Sequence, residues 1–355
     1  MSLWESGLER RERVEKLRGL ETPYYTSNVV EIAYLTGKYV SRGVMIVGKG
    51  HVAFFVDARY RSACRDIEGV TVHMEGLETQ KAWLEHLHIK KIAIDPNSLT
   101  VHVYDRLRDF FGEELRFERD NHINTLREVK DAGELKAIRE AAKINYEAHL
   151  YLIDHLQEGI SEVEAAWIFE KYARERGAER MGFGPTIAFG HNTAIPHHKT
   201  GDMRLEKAMP VMIDVGVVKH GYMSDMTRSF LFQGRDPEYE KMLQLVIEMQ
   251  QKSVENARPG VPIFRLDELI RERFKVEGVD EAFKHSTGHG LGLELHEPPK
   301  IHYLLAPNLL LKEGMVITVE PGLYFDGKWG IRHEDTIIIT KEGNENLYES
   351  WYRAR

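Results

Sequence analysis

Four acidic residues in the second half of the chain each stand where an apolar strand would stop. Asp214 follows Val211-Met212-Ile213 and precedes Val215-Gly216, and Asp225 follows Gly221-Tyr222-Met223-Ser224 and precedes Met226-Thr227. Lys219-His220-Gly221 lies midway and reads as the tip of a hairpin whose arms would set the two aspartates side by side. Glu320 closes Val316-Ile317-Thr318-Val319 ahead of Pro321-Gly322. Glu334 follows Ile331-Arg332-His333 and precedes Asp335-Thr336, with the turn Phe325-Asp326-Gly327-Lys328 between the two glutamates. Ionised carboxylates at buried strand ends are costly unless paired or metal-bound. Four of them gathered without counter-charge would repel and take up protons. Two divalent cations remove that difficulty.

The stretch Thr287-Gly288-His289-Gly290-Leu291-Gly292-Leu293-Glu294-Leu295-His296-Glu297-Pro298 reads as a strand edge opening into a site. Its glycines at 288, 290 and 292 are expected to clear space for a ligand or metal to approach the backbone. An oxygen-rich site with one imidazole suits manganese, cobalt, iron or zinc held for catalysis, not a closed structural zinc site. Ions so held lower the pKa of a water and polarise a carbonyl. Each residue alone has a simpler reading. An Asp shortly before Gly is usually a turn residue, Glu320 before Pro-Gly a strand-end acid, His296 a satisfied core histidine, and His289 a loop residue beside glycines. The set and its spacing point to metal.

A chain of 355 residues exceeds one ordinary core, so two domains are expected. Residues 44–56 read as a hairpin around Gly48-Lys49-Gly50, strands fall at 70–72 and 91–94, and helices at 59–66, 81–87 and 99–111. This is an α/β layer domain. The polar segment 121–130 is the expected boundary, giving domains 1–122 and 123–355. Beyond it come a helix over 131–156, a second opened by the capping box Ser161-x-x-Glu164, helices over 238–256 and 266–277, and strands at 315–319, 322–325 and 335–340. That order predicts an α+β second domain.

The formal net charge of -8, without a basic stripe bearing aromatics, argues against nucleic acid as a partner. No apolar run is long enough to span a bilayer, and the charged N-terminal stretch lacks the apolar region of a secretory signal. Cys64 is the only cysteine, placed in a helix-like stretch as a structural thiol; a reducing, cytoplasmic setting follows as the expectation.

These motifs resemble the creatinase/prolidase/methionine aminopeptidase superfamily of "pita-bread" metallopeptidases, and above all its Xaa-Pro branch, aminopeptidase P and prolidase. Asn28-Val29-Val30-Glu31-Ile32-Ala33-Tyr34-Leu35-Thr36-Gly37 and Val56-Asp57-Ala58-Arg59-Tyr60 are similar to that branch's N-terminal creatinase-like domain. Residues 287–298, Thr318-Val319-Glu320-Pro321-Gly322 and Arg332-His333-Glu334-Asp335-Thr336 match the motifs of its catalytic domain. The resemblance implies five metal ligands: Asp214, Asp225, His289, Glu320 and Glu334. Asp225 and Glu334 would bridge two metals, Asp214 would complete one, and His289 with Glu320 the other. It further implies Glu320 as the base, and His197 and His296 as histidines that bind substrate and steady the tetrahedral intermediate. His285 matches a further site histidine, and Phe183 and Leu295 match walls of the proline-ring pocket. The activity implied is hydrolysis of the Xaa-Pro bond at the N-terminus of short proline-containing peptides by a homodimer holding two divalent ions per subunit, manganese foremost.

The chain departs from the family pattern in three places. His333 precedes Glu334 where an apolar residue is usual, which predicts altered strand packing. His198 follows His197 and is expected to face solvent. Lys300 stands where prolidases often carry an arginine for a dipeptide's carboxylate; a lysine lacks the planar fork, which leans the reading towards aminopeptidase P-type or mixed activity. Methionine aminopeptidase-like activity and a non-catalytic binding protein on the same fold are the alternatives.

Overall fold

The computed structural model describes residues 7–120 and 122–349. It divides into two compact units, Met1–Arg127 and Glu128–Arg355. The first unit runs α1 (Gly7–Arg18), β1 (Tyr24–Thr26), α2 (Val29–Thr36), β2 (Val44–Gly48), β3 (His51–Val56), α3 (Ala58–Cys64), β4 (Thr71–Met74), α4 (Leu77–His86), β5 (Lys91–Ile94), α5 (Val101–Phe111) and β6 (Arg116–Arg119). Its sheet has the order β4-β3-β2-β1-β5-β6. The β2–β3 hairpin is antiparallel and turns at Lys49 and Gly50, both with positive φ. The β3–β4, β1–β5 and β5–β6 pairs are parallel; α3 crosses from β3 to β4 and α5 from β5 to β6, while β1 and β5 are separated in the chain by three other strands. Asn28 and Asp57 cap α2 and α3 through their side chains. Cys64 is buried at the end of α3.

The expected polar linker at 121–130 is instead largely a helix, α6 (His122–Glu128), whose Ile123 and Arg127 are buried. Two buried positions four residues apart make one inward stripe, which a mostly polar composition hides.

The second unit begins with α7 (Ala132–Asp154) and α8 (Glu162–Glu175), both opened by complete capping boxes, Asp131 with Glu134 and Ser161 with Glu164. There follow β7 (Arg180–Met181), β8 (Thr186–Phe189), β9 (Pro210–Val215), β10 (Val217–Lys219), β11 (Tyr222–Met223), β12 (Met226–Leu231), α9 (Pro237–Asn256) and α10 (Phe264–Val276). The chain closes with β13 (Gly288–Gly290), β14 (Glu297–Ile301), β15 (Val316–Val319), β16 (Gly322–Phe325), β17 (Trp329–Arg332), β18 (Asp335–Ile339) and β19 (Asn344–Asn346). The sheets are β12-β9-β8, β11-β10-β7, β14-β13-β15-β18-β19 and the hairpin β16-β17. All their pairings are antiparallel, so this unit is α+β.

One face of the β12-β9-β8 sheet packs Ile187, Phe189, Val211 and Ile213 against Ala148, Leu152 and Phe169 of α7 and α8. A second core sets α9 and α10 against Leu323, Trp329 and Ile331 of the β16-β17 hairpin. Helices on the outside and strand ends within leave the carboxylates of the strand termini facing one another.

Candidate metal centre and active site

Strand register delivers the acids. Val319 pairs with Asp335 where the β15–β18 ladder stops, so Glu320 and Glu334 are the next residue on each side. In the β9–β12 ladder Asp214 pairs with Thr227 and Val215 with Met226, and Asp225 lies one residue beyond. An isolated bridge between Thr227 and Glu334 joins the two ladders, with the Glu334 N–H donating to the Thr227 carbonyl at 3.1 Å. β13 pairs with β15 at Gly290 and Ile317, which brings His289 to the same strand ends.

Side-chain ligand atoms of Asp225, His289 and Glu334, all buried, lie within 4.8 Å of one another. His289 Nε2 is 3.7 Å from Asp225 Oδ2 and 3.5 Å from Glu320 Oε1. Its Nδ1 lies 3.1 Å from the Gly290 carbonyl, which can only accept. Nδ1 therefore carries the proton, and Nε2 turns its lone pair on two carboxylates. Burial holds the imidazole down to about 4, so it is neutral at pH 7. A lone pair facing carboxylate oxygens is repulsive unless a cation stands between them.

The carboxylates record the same deficit of positive charge. Burial first, then the charges of Glu334, Asp214 and Glu320, push Asp225 well above the ordinary carboxylate range. Burial, then Glu320 and Asp214, do the same to Glu334. Burial raises Glu320 to about 7 against the pull of Arg332. The donor set, four carboxylates and one neutral imidazole, fits divalent cations.

Arg332 is the centre's own cation, and sequence reasoning passed over it. Its side chain, 5% exposed, donates from Nη2 to Asp214 Oδ2 at 2.5 Å. Nη1 donates to the Tyr324 hydroxyl at 2.6 Å and the Pro196 carbonyl at 3.1 Å, and Nε to Thr227 Oγ1 at 3.2 Å. Thr227 Oγ1 in turn donates to Glu334 Oε2 at 2.6 Å. One signal was available: Arg332 stands two residues before Glu334, the period that puts side chains on one face of extended chain.

The expected substrate groups line one cavity of about 1020 Å³ together with these acids: Phe183, His197, His285, Leu295, His296 and Lys300. His296 stands edge-on to His289, ring centres 4.3 Å apart. Burial, then His197 and Lys300, lower its pKa. His285 spends both ring nitrogens within the protein, donating from Nδ1 to the Ser286 carbonyl at 2.8 Å and accepting the Tyr324 hydroxyl at Nε2 at 2.9 Å. Lys300 is exposed on β14, paired in register with His289.

Three expectations are corrected. The glycines of 288–292 make room for neighbouring chain, not for a ligand: a Cβ would collide with the Thr318 carbonyl at Gly288, the Pro298 carbonyl at Gly290 and the Glu297 side chain at Gly292. His198 is not solvent-facing; its side chain is 11% exposed and its Nε2 lies 2.8 Å from the buried Glu162. His333 does not disturb the strands, since β15 and β18 pair without interruption up to Asp335. Burial lowers the His333 pKa to about 3, so the ring is carried inside as a neutral group.

Comparison with known proteins agrees with this geometry. Residues 136–341 match metallopeptidase family M24, and residues 20–129 match the creatinase/prolidase N-terminal domain. An uncharacterized peptidase of Bacillus subtilis is 31% identical over 348 residues, 95% of this chain and 98% of that one. A Pyrococcus horikoshii protein named Xaa-Pro dipeptidase is 38% identical over 228 residues, 64% of each chain. Among solved structures, an X-Pro aminopeptidase from Thermotoga maritima superposes with a TM-score of 0.85 at 30% identity, covering 94% of this chain and 97% of that one. Prolidase from Pyrococcus furiosus gives 0.84 at 29% identity, covering 97% and 99%. The fold and the carboxylate-imidazole cluster define a metal-dependent hydrolase. The chain belongs to metallopeptidase family M24.

Proposed function

We propose that this protein is a metal-dependent exopeptidase that cleaves the Xaa-Pro bond at the N-terminus of short peptides. The observation that carries the reading is the His289 Nε2 lone pair aimed into buried carboxylates, a donor set with no use until a cation joins it. Asp214, Asp225, His289, Glu320 and Glu334 would hold two divalent ions, manganese foremost, with cobalt, zinc or iron able to serve. Such ions, when bound, supply Lewis acidity to water and to a carbonyl.

The chain's own residues do the rest. Glu320 accepts a proton from the attacking water at its carboxylate and returns it to the proline nitrogen as the C–N bond breaks. His197 and His296, both exposed to the cavity, offer ring N–H groups to the substrate's carbonyl oxygen as it gains charge. Phe183 and Leu295 supply an apolar slot for the proline ring. An Xaa-Pro bond is a tertiary amide with no N–H, so the ring is the handle a site must use. Lys300, on the cavity wall, would meet a peptide carboxylate as a point charge.

A cavity of about 1020 Å³ stands at the upper end of small-molecule sites, ~300–1,000 Å³, which supports residues beyond the proline and an aminopeptidase P-type or mixed activity. Relatives of both names, Xaa-Pro dipeptidase and X-Pro aminopeptidase, are similar to the chain. A homodimer and a cytoplasmic setting complete the reading. In its favour, Cys64 is a buried thiol, and among the described residues no helix is long and apolar enough to cross a membrane. Methionine aminopeptidase-like activity and a non-catalytic role find no support in these likenesses.

The test is initial hydrolysis rates of Ala-Pro and Ala-Pro-Ala by chelated protein reloaded with manganese, cobalt or zinc. Cleavage of the tripeptide, with or without the dipeptide, is the expected result. Dipeptide cleavage alone makes the enzyme a prolidase. No metal-dependent cleavage of either rejects the reading.

A further inference from the structure

The residue we assign to substrate, His197, lies on the segment 190–201, which contains a short 3-10 turn and no longer element. Its imidazole is exposed and makes no hydrogen bond to another of the described residues. Loops are the mobile parts of a fold, yet a catalytic constellation has to be held to about 0.5 Å. Something else must hold it.

The holding group is Glu162, the first residue of α8, whose side chain is 0% exposed. Oε1 accepts the Phe189 N–H at 2.9 Å and the Asn192 side-chain amide at 2.8 Å. Oε2 accepts the Gly201 N–H at 2.8 Å and lies 2.8 Å from His198 Nε2. A carboxylate offers about four acceptor sites and no donor when ionised. Every site is filled, and His198 must donate from Nε2. The charge also sits in the first turn of α8, where the unpaired helix N–H groups favour an anion.

These four bonds bracket His197. Phe189 and Asn192 precede it, His198 adjoins it and Gly201 follows. From the other side, the Pro196 carbonyl accepts Arg332 Nη1 at 3.1 Å, and Thr193 Oγ1 accepts the Gly330 N–H at 2.9 Å. The four acids and one imidazole of the metal centre make no contact with the Glu162 side chain. We propose that Glu162, with His198 as its partner, is a positioning residue for His197: the buried carboxylate folds segment 190–201 so that the imidazole meets the substrate, without itself touching substrate or metal. The inference rests on the reading of His197 given under Proposed function.

A double-mutant cycle tests it in the full-length, metal-loaded enzyme with Ala-Pro-Ala. Glu162→Gln is expected to lower kcat about 10- to 100-fold, as supporting residues around a metal site do, with KM changed far less. In a His197→Ala background the same substitution is expected to cost less than about twofold more, because residues acting through one group are not additive. An equal fall in both backgrounds overturns the proposal. Where Glu162→Gln does not fold, His198→Ala, which removes one of the four bonds, runs the same cycle with a smaller first step. NMR of the histidine ring C–H groups in the metal-free chain gives a readout independent of turnover. Glu162→Gln or His198→Ala should shift or broaden the His197 signal and leave that of His289 in place; an unmoved His197 signal overturns the proposal. If the wild-type enzyme cleaves neither peptide, the functional reading fails on its own, and the NMR result still decides whether Glu162 positions His197.

Discussion

Arg332 and Asp214 lie 118 residues apart in sequence and 2.5 Å apart in space, a buried guanidinium against a carboxylate on the wall of the cavity. The same guanidinium reaches Tyr324, Thr227 and the Pro196 carbonyl, so one side chain ties the acid cluster to segment 190–201. Arg332→Lys keeps the charge and loses the fork. It is expected to lower kcat/KM about 10- to 100-fold, read from hydrolysis of Ala-Pro-Ala at saturating metal. Unchanged turnover would show that the fork is dispensable.

Burial and mutual repulsion hold Asp225 and Glu334 well above the ordinary carboxylate range. Removing one charge should therefore stabilise the chain while disabling it. Asp225→Asn is expected to raise the Tm of the chelated protein at pH 8 and to abolish metal-dependent cleavage. Calorimetry of wild type and variant in chelator checks the first half; a lower Tm in the variant would count against like-charge crowding.

Metal should stabilise the wild-type fold by RT ln(1 + [M]/Kd), a gain that goes on growing after the site has filled. At a thousandfold excess over Kd the linkage amounts to about 4 kcal/mol. Thermal scans across a manganese titration should show Tm climbing with the logarithm of free metal, and Asp225→Asn should flatten the slope.

In the first unit, Glu31 is fully buried, and burial raises its pKa to about 7, with the charge of Asp95 adding to it. The folded chain thus keeps a proton that the unfolded chain releases near pH 4.5. The contribution to stability is complete below about pH 4.5 and is lost as pH rises through about 7. Glu31→Gln, which cannot ionise, should lose less stability than wild type between pH 5 and 8, by about 3 kcal/mol at the upper end. Calorimetry at each pH step reads it, and parallel pH profiles would refute it.

Gly288→Ala sets a methyl group against the Thr318 carbonyl across the β13–β15 contact. Overpacking of this kind costs about 1–3 kcal/mol, and it should appear as a lower Tm with or without metal. An unchanged Tm would mean that the strands have room to part.

What could be read in the sequence was local or periodic. The two carboxylate pairs follow from apolar runs that stop at acids and from the Asp326-Gly327 turn, since pairing and turn chemistry act over a few residues. The capping box at Ser161 and Glu164 is equally local. What escaped depends on partners far along the chain. Glu162 reads as one more acid at a helix start until Phe189, Asn192, His198 and Gly201 arrive around it. Lys130, at the edge of a polar stretch, gives no hint that it ends buried 2.7 Å from Glu297, beside His296. The glycines at 288, 290 and 292 signal that something comes close, but only the partner strands say what.

The long reach of these contacts governs when the enzyme can first act. Thr227 and Glu334, Asp214 and Arg332, and Lys130 and Glu297 each join an early segment to one made more than a hundred residues later. While the ribosome is still short of residue 332, the nascent chain holds no complete set of the proposed ligands and no guanidinium to brace Asp214. The site thus comes together late in synthesis: a chain cut short before residue 332 leaves Asp214 without its guanidinium and the group of Asp225, His289 and Glu334 incomplete.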